Sequence, residues 1–129
     1  MLYRWFTDPS ERSIYPQDEH LRHTRTYVAG ARTLLAREPD DPRAREIVEE
    51  LLAISPEFAA LWSEHEVTLR LNEYKRMVHP RVGPIELYCQ QLSAVEEGQI
   101  LLVYTATPGT EDHEKLKLLS VIGSQQFEA

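Results

Sequence analysis

Two histidines of this sequence have a spacing that could bind a metal ion. His20 and His23 lie one helical turn apart, next to the carboxylates of Asp18 and Glu19. Imidazole nitrogens and carboxylate oxygens are zinc ligands, so this segment offers a conceivable surface metal site. The same three residue types are ordinary on the solvated side of a helix. We prefer that second interpretation and predict no bound metal.

A third histidine lies between two carboxylates in Glu64-His65-Glu66. This triplet would resemble a general base flanked by acids, but adjacent residues on a helix point in different directions. We therefore predict that His65 is a hydrogen-bonded residue at the end of the helical face that carries Trp62.

The motifs of the common catalytic sites are missing from the sequence. There is no Gly-x-Ser-x-Gly elbow, no glycine-rich phosphate loop and no His-Glu-x-x-His motif, and the chain has five glycines. Its one cysteine, Cys89, excludes an intramolecular disulfide and a cysteine-based zinc site. Because Cys89 alternates with apolar Ile85 and Leu87, we predict a buried, unreactive thiol. We expect neither an enzyme nor a cofactor.

The length and net charge of the chain exclude further classes of protein. A chain of 129 residues fits one domain, and its net charge of −7 repels a phosphate backbone. We therefore expect no DNA binding by this chain alone. No apolar run approaches the ~20 residues that a membrane span needs, and the first residues lack the apolar stretch of a signal peptide. We expect no membrane association and a cytoplasmic location.

Three sequence pairs predict the starts of helices. In Asp8-Pro9, Asp41-Pro42 and Ser55-Pro56, a side-chain acceptor precedes a proline, as at a helix N-cap followed by the first helical position. The first of these helices is short and is predicted to end near Tyr15, before Pro16. Thr110 is predicted to cap a last helix, which Gly123 should end.

Apolar residues at helical spacing predict which faces of these helices are buried. A long helix from Asp18 to about Arg37 should bury Leu21, Thr24, Val28, Ala31 and Leu35, with Tyr27 and Leu34 beside them. The helix from Pro42 to Ile54 should bury Ala44, Ile47, Val48, Leu51 and Leu52. In the next helix Phe58, Leu61, Trp62 and His65 repeat at three and four residues, and in the last helix Leu116, Leu119 and Ile122 do so.

The apolar period changes after His65. Strands are predicted over Tyr74 to His79 and Ile85 to Leu92, and Val67 to Leu71 is either a further strand or a loop. Val95 to Gly98 should connect to Ile100 to Ala106, the most apolar run, which we predict to be a buried central strand. Helices followed by an antiparallel meander and a last helix indicate an α+β fold.

One basic cluster stands out in this acidic chain. It consists of Arg70, Lys75, Arg76, His79 and Arg81. A solvated hairpin is the preferred interpretation, and an anchor for a ligand carboxylate or an acidic partner is the alternative.

Several blocks of the sequence, in the same order, resemble the ligand-binding domain of the MmyB-like transcription regulators. They are Trp5-Phe6-Thr7-Asp8-Pro9 followed by Arg12 and Tyr15; Pro39-Asp40-Asp41-Pro42-Arg43; Ser55-Pro56-Glu57-Phe58-Ala59-Ala60-Leu61-Trp62 with His65 and Val67; Lys75-Arg76 with His79-Pro80 and Val82-Gly83; and Leu102-Val103-Tyr104-Thr105-Ala106 with Pro108-Gly109. The resemblance covers nearly the whole chain.

The resemblance implies a PAS-like sensor domain over residues 1–129, from a bacterial regulator. It further implies an apolar pocket between helices and sheet for a small lipophilic ligand of fatty-acid type. Met1 falls inside the family's domain, so the helix-turn-helix domain and the first strands of the PAS-like sheet are expected to be absent. DNA binding is therefore not transferred to this chain.

Large apolar side chains are the candidate ligand contacts. Their spacing alone indicates a core, because a filled core and a lined pocket use the same residue types. The resemblance favours the pocket, and the alternative is an interaction or dimerisation module with a filled core. The predicted ligand-binding residues are Trp5, Phe6, Phe58, Leu61, Trp62, His65, Tyr88, Leu102 and Tyr104.

The absent first strands also predict an assembly. They would leave the Ile100 to Ala106 strand with an unpaired backbone edge, a template for another chain. We expect a homodimer that covers this edge or, as the alternative, an N-terminal segment Leu2 to Phe6 that folds over it.

Overall fold

The computed structural model describes residues 1–66, 73–94 and 99–127. The chain divides into two compact units, Met1–Arg70 and Leu71–Ala129. The first unit is helical, and the second contains a sheet and one helix. Our expectation of a single sensor domain stays a prediction.

Over residues 1–66, the helical unit contains four α-helices and two short 3-10 turns. The helices are α1 (Leu2–Thr7), α2 (His20–Arg37), α3 (Pro42–Ile54) and α4 (Pro56–Ser63), and the turns are Pro9–Arg12 and Gln17–Glu19. Helix α1 was not predicted, because it is short and Met1 offers no side-chain cap. The helix predicted after Pro9 is a 3-10 turn that ends at Arg12, earlier than expected.

The predicted caps are confirmed. Asp41 accepts from the backbone N–H groups of Arg43 and Ala44, and Ser55 accepts from that of Phe58. The Asp8 side chain likewise accepts from the N–H of Ser10 at the first 3-10 turn. Each cap satisfies a donor that the first turn leaves without an intrahelical partner, which determines where the helix begins.

The core of the helical unit lies where α2, α3 and α4 meet. Its buried members are Val28, Ala31, Val48, Leu51, Phe58 and Leu61. Leu2, Tyr3 and Phe6 of α1 pack against this core. The segment Leu2 to Phe6 is therefore part of a helix that packs within the helical unit, and its predicted cover of the edge strand stays a prediction.

Two residues of the predicted α2 stripe are exposed. Leu21 and Leu34 point towards solvent, while His23 and Ala29 are buried instead. The buried face of α2 therefore includes residues that lie near α1 and the 3-10 turn Gln17–Glu19. The spacing of apolar residues within α2 does not predict these contacts.

Within residues 73–94 and 99–127, the second unit contains a three-stranded antiparallel meander and a helix. The strands are β1 (Glu73–His79), β2 (Gly83–Ala94) and β3 (Gln99–Thr105), in the spatial order β1-β2-β3, and the helix is α5 (Glu111–Phe127). Gly83, at φ 72°, follows the tight turn between β1 and β2, a backbone conformation that favours glycine. The predicted α+β fold is confirmed.

The alternation predicted for β2 is confirmed, and Ile85, Leu87 and Cys89 are buried. The position predicted for the most apolar strand is wrong. β3 lies at the edge of the described sheet, and none of its residues is buried, because each strand of a meander pairs with its neighbours in sequence and β2 takes the centre.

Helix α5 begins beside the open edge of β2. Thr110 Oγ1 accepts from the N–H of His113, which confirms the predicted cap. Asp112 Oδ1 accepts from the backbone N–H of Glu86 (3.1 Å), and Lys115 Nζ donates to the carbonyl of Pro84 (2.7 Å). These two contacts provide hydrogen-bond partners for the backbone N–H of Glu86 and the backbone C=O of Pro84. Both groups belong to the part of β2 that does not pair with β3. The predicted stop at Gly123 is wrong, since α5 continues to Phe127.

The interpretations of residues 67–71 and 95–98 lie outside the described residues. Among the helices described, none has the length and apolar character required to cross a membrane.

Candidate functional site

Four predicted ligand-binding residues form one continuous cluster in the helical unit. The Phe58 ring lies 5.1 Å from the Phe6 ring in an edge-to-face arrangement and 5.5 Å from the stacked Trp62 ring. Leu61 belongs to the same core. Phe58 is fully buried, whereas Phe6 and Trp62 are half-buried. The cluster therefore runs from the core to the surface at two points, which the sequence pattern does not show.

Trp5 belongs to a second aromatic cluster. It is 2% exposed, and its indole Nε1–H donates to Thr24 Oγ1 (3.0 Å). Because the polar atom of the indole is satisfied, the ring can be buried at little cost. The rings around it, at centroid distances of 5.2 to 5.9 Å, are those of Tyr15, His20, His23 and Tyr27.

An open cleft lies at the surface next to both aromatic clusters. Its volume is about 240 Å³, and its lining residues are Trp5, Phe6, Thr7, Pro9 and Arg12. Pockets for drug-sized ligands typically measure about 300–1,000 Å³, so this cleft could hold only part of such a molecule. Two of its lining residues, Trp5 and Phe6, are predicted ligand-binding residues.

The guanidinium at the rim of the cleft is already engaged. Arg12 forms a two-point ion pair with Glu57 of α4, whose shorter distance is 2.6 Å. Its Nε donates to the carbonyl of Trp5 (3.1 Å), and its guanidinium lies 4.9 Å from the Trp5 ring centroid. Arg12 thus holds α1 to α4. A ligand carboxylate placed here would compete with Glu57, so the cleft presents mainly apolar surface.

His65 lies just beyond α4 and has the predicted hydrogen bond. Its Nδ1 is 3.0 Å from Nη1 of Arg32, and Nη2 of Arg32 donates to the carbonyl of Trp62. The Arg32 guanidinium lies over the Trp62 ring at 4.2 Å. His65 has φ 54°, a conformation uncommon for a residue with a side chain. The sequence pattern gives no sign of this contact, because a cation that covers an indole ring leaves no periodic signal.

The three predicted site residues of the sheet do not share one face. Tyr104 pairs with buried Cys89 and Leu102 pairs with Gln91, so both lie on the Cys89 face. Tyr88 pairs with Tyr74 and Thr105 on the opposite face, where the two tyrosine rings are 5.2 Å apart. The sheet therefore separates Tyr88 from Leu102 and Tyr104.

The possible metal ligands of the described residues do not lie together in a metal centre. Across residues 1–66, 73–94 and 99–127, no group of three or more His, Cys, Asp or Glu side chains could hold a metal ion. His20 contacts the carbonyls of Arg12 and Tyr15, both at 3.0 Å, and Cys89 is buried. In the basic cluster, Lys75 and Arg76 project to opposite faces of β1, and Arg70 lies outside the described residues.

The described residues form helices that carry two aromatic clusters, followed by an antiparallel meander and a helix, which is an α+β fold. The family model of the MmyB-like transcription regulator ligand binding domain matches residues 1–119 of the 129-residue chain. The chain belongs to this family, and it is a ligand-binding domain of MmyB-like transcription regulators. Membership implies a small-molecule ligand and suggests a non-enzymatic role. The comparisons with curated proteins and with solved structures gave no match.

Proposed function

We propose that this chain is a cytoplasmic sensor domain that binds a small lipophilic molecule of fatty-acid type through the aromatic residues of its helical unit. One observation carries the proposal: Trp5 and Phe6 are among the residues that line the cleft. The Phe6 ring also contacts Phe58, so an apolar ligand in the cleft would lie against the same cluster that forms the core.

The energetics favour an apolar tail over a charged head at this place. Each methylene transferred from water to apolar surroundings contributes about 0.8 kcal/mol. The guanidinium of Arg12 is paired with Glu57, so a carboxylate would gain little from it and would remain at the solvent-exposed mouth. Affinity should therefore rise with chain length and depend weakly on the head group. Tyr88, Leu102 and Tyr104 stay predictions as ligand contacts.

The first experiment titrates the protein with lauric, myristic and palmitic acid and with the alcohols of the same lengths. Both tryptophans, Trp5 and Trp62, lie in the helical unit, so their fluorescence should change saturably. Ligand that binds only the folded state should also raise the melting temperature. If neither the fluorescence nor the melting temperature responds to any chain length, the proposal is wrong.

A matched pair of variants tests the location. Thr7 is exposed and lines the cleft, whereas Ser13 is exposed and is not among the lining residues. Thr7→Phe should fill the cleft and weaken binding, and Ser13→Phe should leave binding unchanged. Equal affinities in the two variants would place the ligand elsewhere.

A filled-core interaction module is the second candidate function. The complete burial of Leu51 and Phe58 supports it, because their surroundings are already occupied by protein atoms. Mass spectrometry of small molecules released from the purified protein discriminates between the candidates. Co-purified lipid supports the sensor, and its absence together with a failed titration supports the module.

A net charge of −7 also supports the proposal that this chain alone does not bind DNA. Specific binding at physiological salt in an anisotropy titration would contradict it.

A further inference from the structure

Phe6 connects the cleft with the core of the helical unit. Its ring contacts the ring of Phe58 at a centroid distance of 5.1 Å and an interplanar angle of 85°. Phe58 is 0% exposed and is not among the lining residues of the cleft. The Phe6 ring therefore lies between the open cleft and the buried Phe58 ring. The residues that line the cleft together with Phe6 are Trp5, Thr7, Pro9 and Arg12.

The other lining residues are held in place. The Trp5 ring is 2% exposed, and its indole N–H donates to Thr24 Oγ1 (3.0 Å). Thr7 Oγ1 donates to a backbone carbonyl of its own helix (2.9 Å), and the Arg12 guanidinium is held by the carboxylate of Glu57 (2.6 Å). The remaining lining residue is a proline, whose ring fixes its own backbone angle φ. These four residues therefore form a rigid part of the cleft wall.

The Phe6 side chain can move without breaking a hydrogen bond. It has no donor or acceptor, it is half-buried, and it lies in the last turn of α1. The side chain of a helical phenylalanine has two accessible χ1 rotamers, which point in different directions. A change of rotamer therefore takes the ring away from Phe58 while α1 stays folded.

The size of the cleft gives this movement a role in binding. Its volume of about 240 Å³ is below the range of about 300–1,000 Å³ that is typical of pockets for drug-sized ligands. A ligand tail that displaces the Phe6 ring gains the space of that ring and contacts Phe58, on which the Trp62 ring stacks at 5.5 Å. Because the rest of the wall is rigid, the cleft extends in this direction.

We propose that Phe6 is a gate that determines which lengths of apolar tail the cleft binds. In the arrangement described here, the ring stops a tail at the cleft. A longer tail binds when it displaces the ring and lies against Phe58. Because the gate acts on the tail of the proposed lipophilic ligand, its role rests on the proposed function. Phe6 is thus the specificity-determining residue of the cleft.

The first experiment titrates the wild type, Phe6→Ala and Phe6→Trp with saturated fatty acids from caproic to stearic acid. Burial of one methylene corresponds to about fourfold in affinity. In the wild type, this rise with tail length should be interrupted at the length that first meets the Phe6 ring. Phe6→Ala should remove the interruption, so that the longest acids bind at least about fourfold more tightly than to the wild type. Phe6→Trp, with its larger ring, should weaken the binding of the same acids by at least this factor.

Leu2→Ala is the matched control. Leu2 lies on the same helix as Phe6, is half-buried and packs against the same core, but it is not among the lining residues of the cleft. Leu2→Ala should therefore keep the wild-type dependence of affinity on tail length. Circular dichroism and thermal melts without ligand establish that each variant is folded. Opposite changes in Phe6→Ala and Phe6→Trp do not result from lost stability, because unfolding weakens the binding of every tail length.

Benzene is a second probe, which separates the gate from the proposed function. Apolar cavities that are left by a large-to-small substitution bind benzene. If Phe6→Ala opens a space against the Phe58 ring, benzene-saturated buffer should raise the melting temperature of this variant and leave that of the wild type unchanged.

The possible results distinguish the two proposals. Fatty-acid binding with the same dependence on tail length in the wild type, Phe6→Ala and Phe6→Trp overturns the gate and leaves the proposed function in place. No binding of any fatty acid, with benzene stabilising Phe6→Ala alone, refutes the proposed function and supports Phe6 as the gate between the cleft and Phe58. If Phe6→Ala responds neither to fatty acids nor to benzene, the gate is overturned as well.

Discussion

Truncation of Phe58 would measure how completely the helical core is filled. Its side chain is 0% exposed and lies between the rings of Phe6 and Trp62, at 5.1 and 5.5 Å. A buried aromatic side chain removes about 150–250 Å² from water, which at about 25 cal/mol per Å² gives an upper estimate of about 4–6 kcal/mol. Phenylalanine-to-alanine changes in packed cores cost about 3–5 kcal/mol. We expect Phe58→Ala to lower the free energy of unfolding by about 4 kcal/mol.

Urea unfolding followed by tryptophan fluorescence is the appropriate assay, because Trp5 and Trp62 both report on the helical unit. Phe58→Leu keeps most of the volume and should cost less than about 1.5 kcal/mol. Leu34→Ala, at an exposed position of α2, is the control and should change stability by less than about 0.5 kcal/mol. A decrease in the free energy of unfolding of less than about 1.5 kcal/mol for Phe58→Ala would refute close packing around the Phe58 ring. It would indicate free space beside the ring that a ligand could occupy.

Three further outcomes are expected. Ser55→Ala should destabilise the protein by about 1 kcal/mol in the same assay, because it leaves the buried N–H of Phe58 without its acceptor, and an unchanged midpoint would contradict the cap. The hydrogen bond from the Ser10 hydroxyl lowers the pKa of Asp8 below its usual 3.8, so its contribution is present above that pH and is lost as the pH falls through the lower folded value. Asp8→Asn, which retains a capping oxygen, should abolish this part of the acid dependence, and identical acid melts of variant and wild type would exclude it. Cys89 is 1% exposed and should react with a thiol reagent only after unfolding, so rapid modification of the native protein would refute its burial.

Local signals in the sequence predicted most of the helices. Asp41, Ser55 and Thr110 cap helices where expected, because a cap involves only neighbouring residues and leaves a signature within four positions. Helix α1 has no such signature and was missed. The buried side of α3 was predicted correctly because its apolar residues recur at a single helical period.

The sequence also predicted some members of the candidate site but not their grouping. Phe6, Phe58 and Trp62 form one cluster, while Trp5 belongs to a different one with Tyr15 and its neighbours. Which aromatic ring contacts which depends on the angles at which helices pack, and no spacing within one helix contains that information. The cover of Trp62 by Arg32 is missed for the same reason.

The sequence by itself determined the class of the fold, the ends of the capped helices and the alternation that buries Ile85, Leu87 and Cys89. Each of these depends on interactions between residues that are near neighbours in the chain. Only the tertiary structure decided that β3 is an edge strand and that Tyr88 lies on the opposite face from Leu102 and Tyr104. An apolar strand satisfies the same local preferences at the centre of a sheet or at its edge. Its burial is set by which other strands pair with it, and pairing is a contact between segments distant in sequence.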